Sequence, residues 1–325
     1  LKDGDLVLHV ATVDGVGNVS FEAAHLRIKV DSTPPLAKLR PLPPFSAERS
    51  FTVAWEGEDN LAGVEFYDVE VKEGPNDPFK PWLSRTALTE SLFRGEDAKT
   101  YQFRVRAVDR AGNAGPAQTG TEVTVDVSPP AAVTDLRTES RAGGDIQLTW
   151  GPSSDASSGL SHYNVYRSTA PDQLGGRITD EGRCREPGFL DRGSGLSDGA
   201  VYYYTVQAVD MMNHEQTAGN HRVPGLCAKS VDPPVVVSPT HPNLGRWYKN
   251  NRPAFSWLPP TALTGLAGYW YELGGEGTPL GEGRGIWTQK PESSFPPQKD
   301  GVYLFRVVAQ DRAGNVKSLR QAVQG

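Results

Sequence analysis

Apolar and polar residues alternate in several stretches of this chain, and the stretches resemble one another. Tyr101, Phe103, Val105 and Ala107 are separated by Gln102, Arg104 and Arg106. The same rhythm returns at Tyr202, Tyr204, Val206 and Ala208, and again at Tyr303, Phe305, Val307 and Ala309. A period of two predicts strands with one buried face and one face turned to water, as in antiparallel sheets. Each run leads into an aspartate, and a weaker run from Leu6 does likewise. The segments are 6–18, 101–113, 202–213 and 303–315, with Asp14, Asp109, Asp210 and Asp311 spaced 95, 101 and 101 residues apart. A fixed period near 100 residues predicts a tandem array of sandwich-sized units.

A second pattern lies upstream in three of the units. Trp55, Trp150 and Trp257 each close a strand, and Gly63, Gly159 and Gly265 follow after eight, nine and eight residues. Four residues beyond each glycine, Tyr67, Tyr163 and Tyr269 open another alternating strand. An aromatic from each of two sheets then meets in one core. Punctuation supplies the boundaries. Val30-Asp31 leads to Pro34-Pro35, Val125-Asp126 to Pro129-Pro130, and Val231-Asp232 to Pro233-Pro234, and paired prolines do not fit a central strand. The predicted units are a hairpin at 1–31 belonging to an incomplete sandwich, then three sandwiches at 34–126, 129–230 and 233–325.

These residues resemble fibronectin type III modules: a tryptophan on the second strand, a tyrosine opening the third, and Tyr-x-aromatic-x-Val-x-Ala-x-Asp on the sixth. The Asp-Arg-Ala-Gly-Asn turns at 109–113 and 311–315 and the Val-Asp joints resemble the bacterial Ig-like versions found in surface and secreted proteins. The turn at 210–213 departs from that pattern, reading Asp-Met-Met-Asn, and the first unit has Leu6 where the aromatic belongs. The resemblance implies an all-β fold of elongated tandem sandwiches. It also implies seven strands per sandwich, with the loops after strands two and six at one pole, where such modules meet ligands. An Arg-Gly-Asp tripeptide is absent.

Composition narrows the function. Gly (35) and Pro (26) favour turns over helices. A net charge of -6 without a basic run argues against nucleic acid and acidic lipid as partners. No apolar stretch reaches the roughly 18 residues of a membrane span. The six histidines do not fall in a metalloprotease spacing, and the Gly281, Gly283, Gly285 alternation reads as a hairpin tip rather than a phosphate cradle. Cys184 and Cys227 lie in one unit and are expected to form a disulfide.

Two ligand readings are carried forward. Glu58 and Asp59 after one strand face Asp109 and Asn113 after another, an oxygen-rich set suited to calcium, although the same residues also build tight turns. No other cofactor is implied. Trp270 alternates outward between Tyr269 and Tyr271 and is the best ligand-facing aromatic. The expected function is a non-catalytic extracellular stalk or adhesion segment that meets a protein or glycan at a cell surface. The alternative is an accessory spacer or glycan-binding part of a larger secreted enzyme. Because 1–31 supplies only two strands, the chain is expected to be an excerpt of a longer polypeptide.

Overall fold

The computed structural model describes residues 2–20, 24–180, 184–219, 221–243, 245–274 and 285–317. Among them the chain is all β, with only two 3-10 turns, Ala142–Gly144 and Gly193–Gly195. It divides into two compact units. One holds Leu1–Pro130 with the loops Ser154–Leu160 and Asp210–His214, and the other holds the remainder.

The chain opens with an antiparallel hairpin, β1 (Gly4–Val10) and β2 (Ala24–Val30). Leu8, Val10 and Leu26 are exposed on it. Asp3 ties its base to Ser32 and Thr33.

The first complete sandwich comprises β3 (Leu36–Leu39), β4 (Phe45–Ser46), β5 (Ser50–Glu58), β6 (Val64–Glu73), β7 (Lys80–Thr86), β8 (Glu90–Arg94), β9 (Thr100–Asp109) and β10 (Gln118–Val125). One sheet runs β3-β5-β8 and the other β4-β10-β9-β6-β7. The alternation in β9 does what a period of two requires. Tyr101, Phe103, Val105 and Ala107 are buried, while Arg104 and Arg106 pair with Glu70 and Asp68 of neighbouring β6. The core joins the sheets through Trp55 and Tyr67, which meet edge to face at 6.3 Å. Trp82 belongs to this core, packing on Phe93 and Phe103 at 5.4 Å each.

The second sandwich has β11 (Thr134–Ser140), β12 (Ile146–Gly151), β13 (Leu160–Ser168), β14 (Gly176–Arg177), β15 (Gly188–Asp191), β16 (Val201–Asp210) and β17 (Val223–Leu226), in sheets β11-β12-β15 and β14-β13-β16-β17. Trp150 and Tyr163 repeat the aromatic pair at 5.3 Å. The third has β18 (Val235–Val237), β19 (Ala254–Leu258), β20 (Leu266–Gly274), β21 (Ile286–Thr288), β22 (Glu292–Ser294) and β23 (Leu304–Asp311). Its sheets run β18-β19-β22 and β21-β20-β23, and Trp257 meets Tyr269 at 5.3 Å.

The disulfide expectation needs correction: Cys184 and Cys227 are both free thiols. Different neighbours hold them. The Cys184 carbonyl accepts the Tyr163 N–H, and its Sγ lies 3.7 Å from the Gly188 carbonyl. Cys227 is bonded through its backbone to Gly199 and Ala200 and is buried near Gly144. Burial pushes both thiols above their ordinary pKa, which disfavours the nucleophilic thiolate.

Candidate functional site

The recurring aspartates cap the turns that follow their strands. Asp109 Oδ1 accepts the N–H groups of Ala111 and Asn113 at 2.9 and 2.8 Å, and Oδ2 accepts Asn113 Nδ2 at 2.8 Å. Asp14 with Asn18 and Asp311 with Asn315 repeat the arrangement. The turns need a left-handed residue before the asparagine, which Gly17, Gly112 and Gly314 supply at φ 92°, 93° and 91°. After β16 that place falls to Asn213, at φ 66°. Asn213 is thus the counterpart of Gly112, whereas His214 is the counterpart of Asn113. Sequence alignment on the asparagine shifted this turn by one residue. His214 Nδ1 lies 2.9 Å from Asp210 Oδ2, while Asp210 Oδ1 accepts the Met212 and His214 N–H groups.

A second loop lies against each turn. Asp59 Oδ2 accepts Leu61 and Gly63 N–H, and Asp155 Oδ1 accepts Ser157 and Gly159 N–H. The two loops are stitched by Arg110 N–H to the Gly63 carbonyl, Met211 to Gly159, and Arg312 to Gly265.

The segment entering each sandwich reaches the same pole. Asp31 Oδ2 accepts the Ala62 N–H at 2.8 Å, and Asn113 Nδ2 donates to the Asp31 carbonyl at 3.0 Å. Asp126 Oδ2 accepts the Ser158 N–H at 3.0 Å, Ser158 standing where Ala62 stands. In the third sandwich Asn315 Nδ2 donates to the Ala228 carbonyl, so the place of Asp31 falls to an alanine. Asp232 is exposed there, 3.7 Å from Lys317 Nζ.

Two groups of convergent ligand atoms result, each within 4.8 Å: Asp31, Asp59 and Asp109, and Asp126, Asp210 and His214. Of the residues weighed for calcium, the structure therefore gathers Asp59 and Asp109. Glu58 is exposed at the end of β5, and Asn113 is committed through its amide N–H to Asp109 and the Asp31 carbonyl. Asp31 and Asp126 escaped the sequence reading, and His214, close to Asp210 in sequence, was read as a scattered surface histidine. The Val-Asp pairs ahead of the prolines carried the signal but were read as boundaries alone.

Burial acts on Asp109 to raise its pKa. The donors from Asn113, Ala111 and Gly112 outweigh it and hold the carboxyl below its ordinary value. Elsewhere, polar clusters close on themselves. Tyr204 donates to Asp191, which also receives Arg167, and Tyr166 and Asn164 both donate to Glu215. Burial, aided by Glu215, pushes Tyr166 up to about 12, so it remains a neutral donor.

Trp270 is half-buried. Its Nε1 donates to Gln310 Oε1 at 2.7 Å and its ring lies 5.0 Å from Trp287. Trp287 covers Gly268, where a Cβ would come within 2.5 Å of the indole, and is 39% exposed. Trp82 and Trp287 hold similar places in sequence, yet one fills a core and the other lies outside it.

Among the described residues, no helix is long and apolar enough to cross a membrane. Residues 283–324 match the bacterial Ig-like domain family. Exoglucanase B of Cellulomonas fimi is 30% identical over 217 residues, covering 62% of this chain and 18% of that protein. Chitinase A1 of Niallia circulans is 26% identical over 231 residues, covering 67% of this chain and 29% of that protein. This chain therefore spans less than a third of the length of these curated relatives. A solved structure of the chicken CNTN1 FN1-FN3 domains aligns with 85% of this chain and 93% of that chain at 15% identity and a TM-score of 0.36. With its paired sheets and repeated tryptophan-tyrosine cores, the chain is a tandem array of fibronectin type III-like, Ig-like β-sandwiches.

Proposed function

We propose that these modules are a non-catalytic spacer within a larger, secreted, polysaccharide-degrading protein. The observation that carries this reading is the pair of relatives. An exoglucanase and a chitinase, named for different glycans, both align with most of this chain over a minor part of their own length. A segment shared between enzymes of different substrate supports a role other than choosing the substrate. The site geometry agrees, because its aspartates are engaged by turn N–H groups rather than poised as an acid and a base. The relatives favour this reading over a free-standing adhesive stalk. Incubating the purified chain with cellulose, chitin and their soluble oligosaccharides tests it: no turnover is expected, and release of sugar by this chain alone would overturn it.

The Trp270 and Trp287 pair favours a second role, weak glycan contact on the outer face of β20 and β21, since sugar faces stack on exposed indoles. Trp287→Ala would then reduce retention on insoluble polysaccharide. Equal retention by both proteins would remove this role and leave the spacer reading intact.

A further inference from the structure

We propose that Asp126, Asp210 and His214 bind one divalent transition-metal ion of the zinc class. The three side chains come from the segment after β10, the end of β16 and the turn beyond it, and each offers a ligand atom within 4.8 Å of the other two. Asp126 and Asp210 are both fully buried. Among the described residues, Asp126 Oδ2 accepts the Ser158 N–H alone, and Asp126 Oδ1, also buried, has no hydrogen-bond donor.

A carboxylate oxygen withdrawn from water without a donor is costly, and a second buried carboxylate beside it adds repulsion. His214 alone contributes at most one positive charge against two negative ones. A divalent cation between the three groups balances the charge and gives Asp126 Oδ1 its partner.

The comparison with the other turns identifies what is special here. Asn18, Asn113 and Asn315 fill the corresponding place with an amide N–H donor, which bonds a carboxylate but does not ligate a metal. Only after β16 does an imidazole stand there. One imidazole nitrogen with two carboxylate oxygens suits zinc and its first-row neighbours, whereas calcium takes six to eight oxygens. Asp210 Oδ1 is held by the Met212 and His214 N–H groups, which fixes the carboxylate so that Oδ2 faces His214. This is the orienting hydrogen bond that metal-ligating groups commonly receive.

Calorimetric titration of the chelator-stripped 325-residue chain with zinc chloride tests the proposal. One saturable site per chain is expected, with affinity at least tenfold weaker in Asp126→Asn and in His214→Asn. The second variant carries the residue found at the three other turns, so it should fold normally. Zinc should also raise the melting temperature of the parent chain more than that of either variant. Absence of saturable zinc binding, or unchanged binding in both variants, would overturn the proposal. Displacement of zinc by an equal concentration of calcium would overturn the assignment of the ion's class.

Discussion

The poles at Asp31 and at Asp126 share a backbone plan and differ in their side chains. In both, an aspartate entering the sandwich accepts an N–H just ahead of a left-handed glycine, and a second aspartate caps the turn after the sixth strand. At the first pole Asn113 donates to the incoming backbone, the incoming Asp31 keeps its Ala62 bond, and the buried oxygen without a donor belongs to Asp59. At the second His214 replaces it, and a buried Asp126 oxygen is left without a donor. The third pole has Ala228 in place of the incoming aspartate and Thr261 in place of Asp59, while Asn315 still bonds the incoming backbone and Thr264 Oγ1 accepts the Ala313 N–H. The stitched loops are thus the invariant scaffold, and the incoming aspartate is an addition that can acquire chemistry.

The largest effect should come from the shared part. Asp109→Ala would empty a fully buried capping position, leave the N–H groups of Ala111 and Asn113 without their acceptor, and cost about 3 kcal/mol of unfolding free energy in denaturant titration. A loss below about 0.5 kcal/mol would mean that the cap does not hold the pole. The same carboxyl predicts a pH signature. Its folded pKa is depressed, so its contribution is fully present above the unfolded value of about 3.9 and is lost as pH falls through the lower folded value. The wild-type chain should therefore lose stability below about pH 4 more steeply than Asp109→Asn.

Exchanging the incoming aspartates separates the two poles more finely. Asp31→Ala removes a half-buried acceptor and should cost about 1 kcal/mol. Asp126→Ala in metal-free buffer should cost less, because loss of the Ser158 bond is offset by relief of a buried carboxylate facing Asp210. The reverse order would show that the two poles are not distinguished by whether the incoming aspartate carries the donor-free oxygen. The smallest effect belongs to backbone strain. Asn213→Gly should stabilise the turn after β16 by about 0.5 kcal/mol, and Gly112→Asn should destabilise its counterpart by a similar amount.

The strand runs, the tryptophan-tyrosine cores and the turn aspartates were legible because alternation and turn chemistry are local. Tyr101 to Ala107 buries its apolar members, and Trp55 meets Tyr67, where the spacing places them. What escaped was non-local. Asp31 and Asp126 lie far in sequence from the loops they enter, and the Val-Asp signal also occurs at Asp232, which stays exposed while Ala228 takes the inner place. The one-residue shift at 210–214 hid that His214 takes the place of Asn113, because an asparagine can occupy the left-handed position that a glycine usually takes. The disulfide failed for a related reason: two cysteines in one sandwich say nothing about whether their neighbours hold them together.

The proposed spacer role is tested most directly by excising these modules from the larger polysaccharide-degrading protein that the proposal invokes. Turnover of soluble oligosaccharides by the shortened protein should be unchanged, while turnover of insoluble polysaccharide should fall severalfold, since only the solid substrate depends on the reach of the catalytic unit. An equal loss on both substrates would contradict the spacer role and place these sandwiches within the catalytic machinery itself.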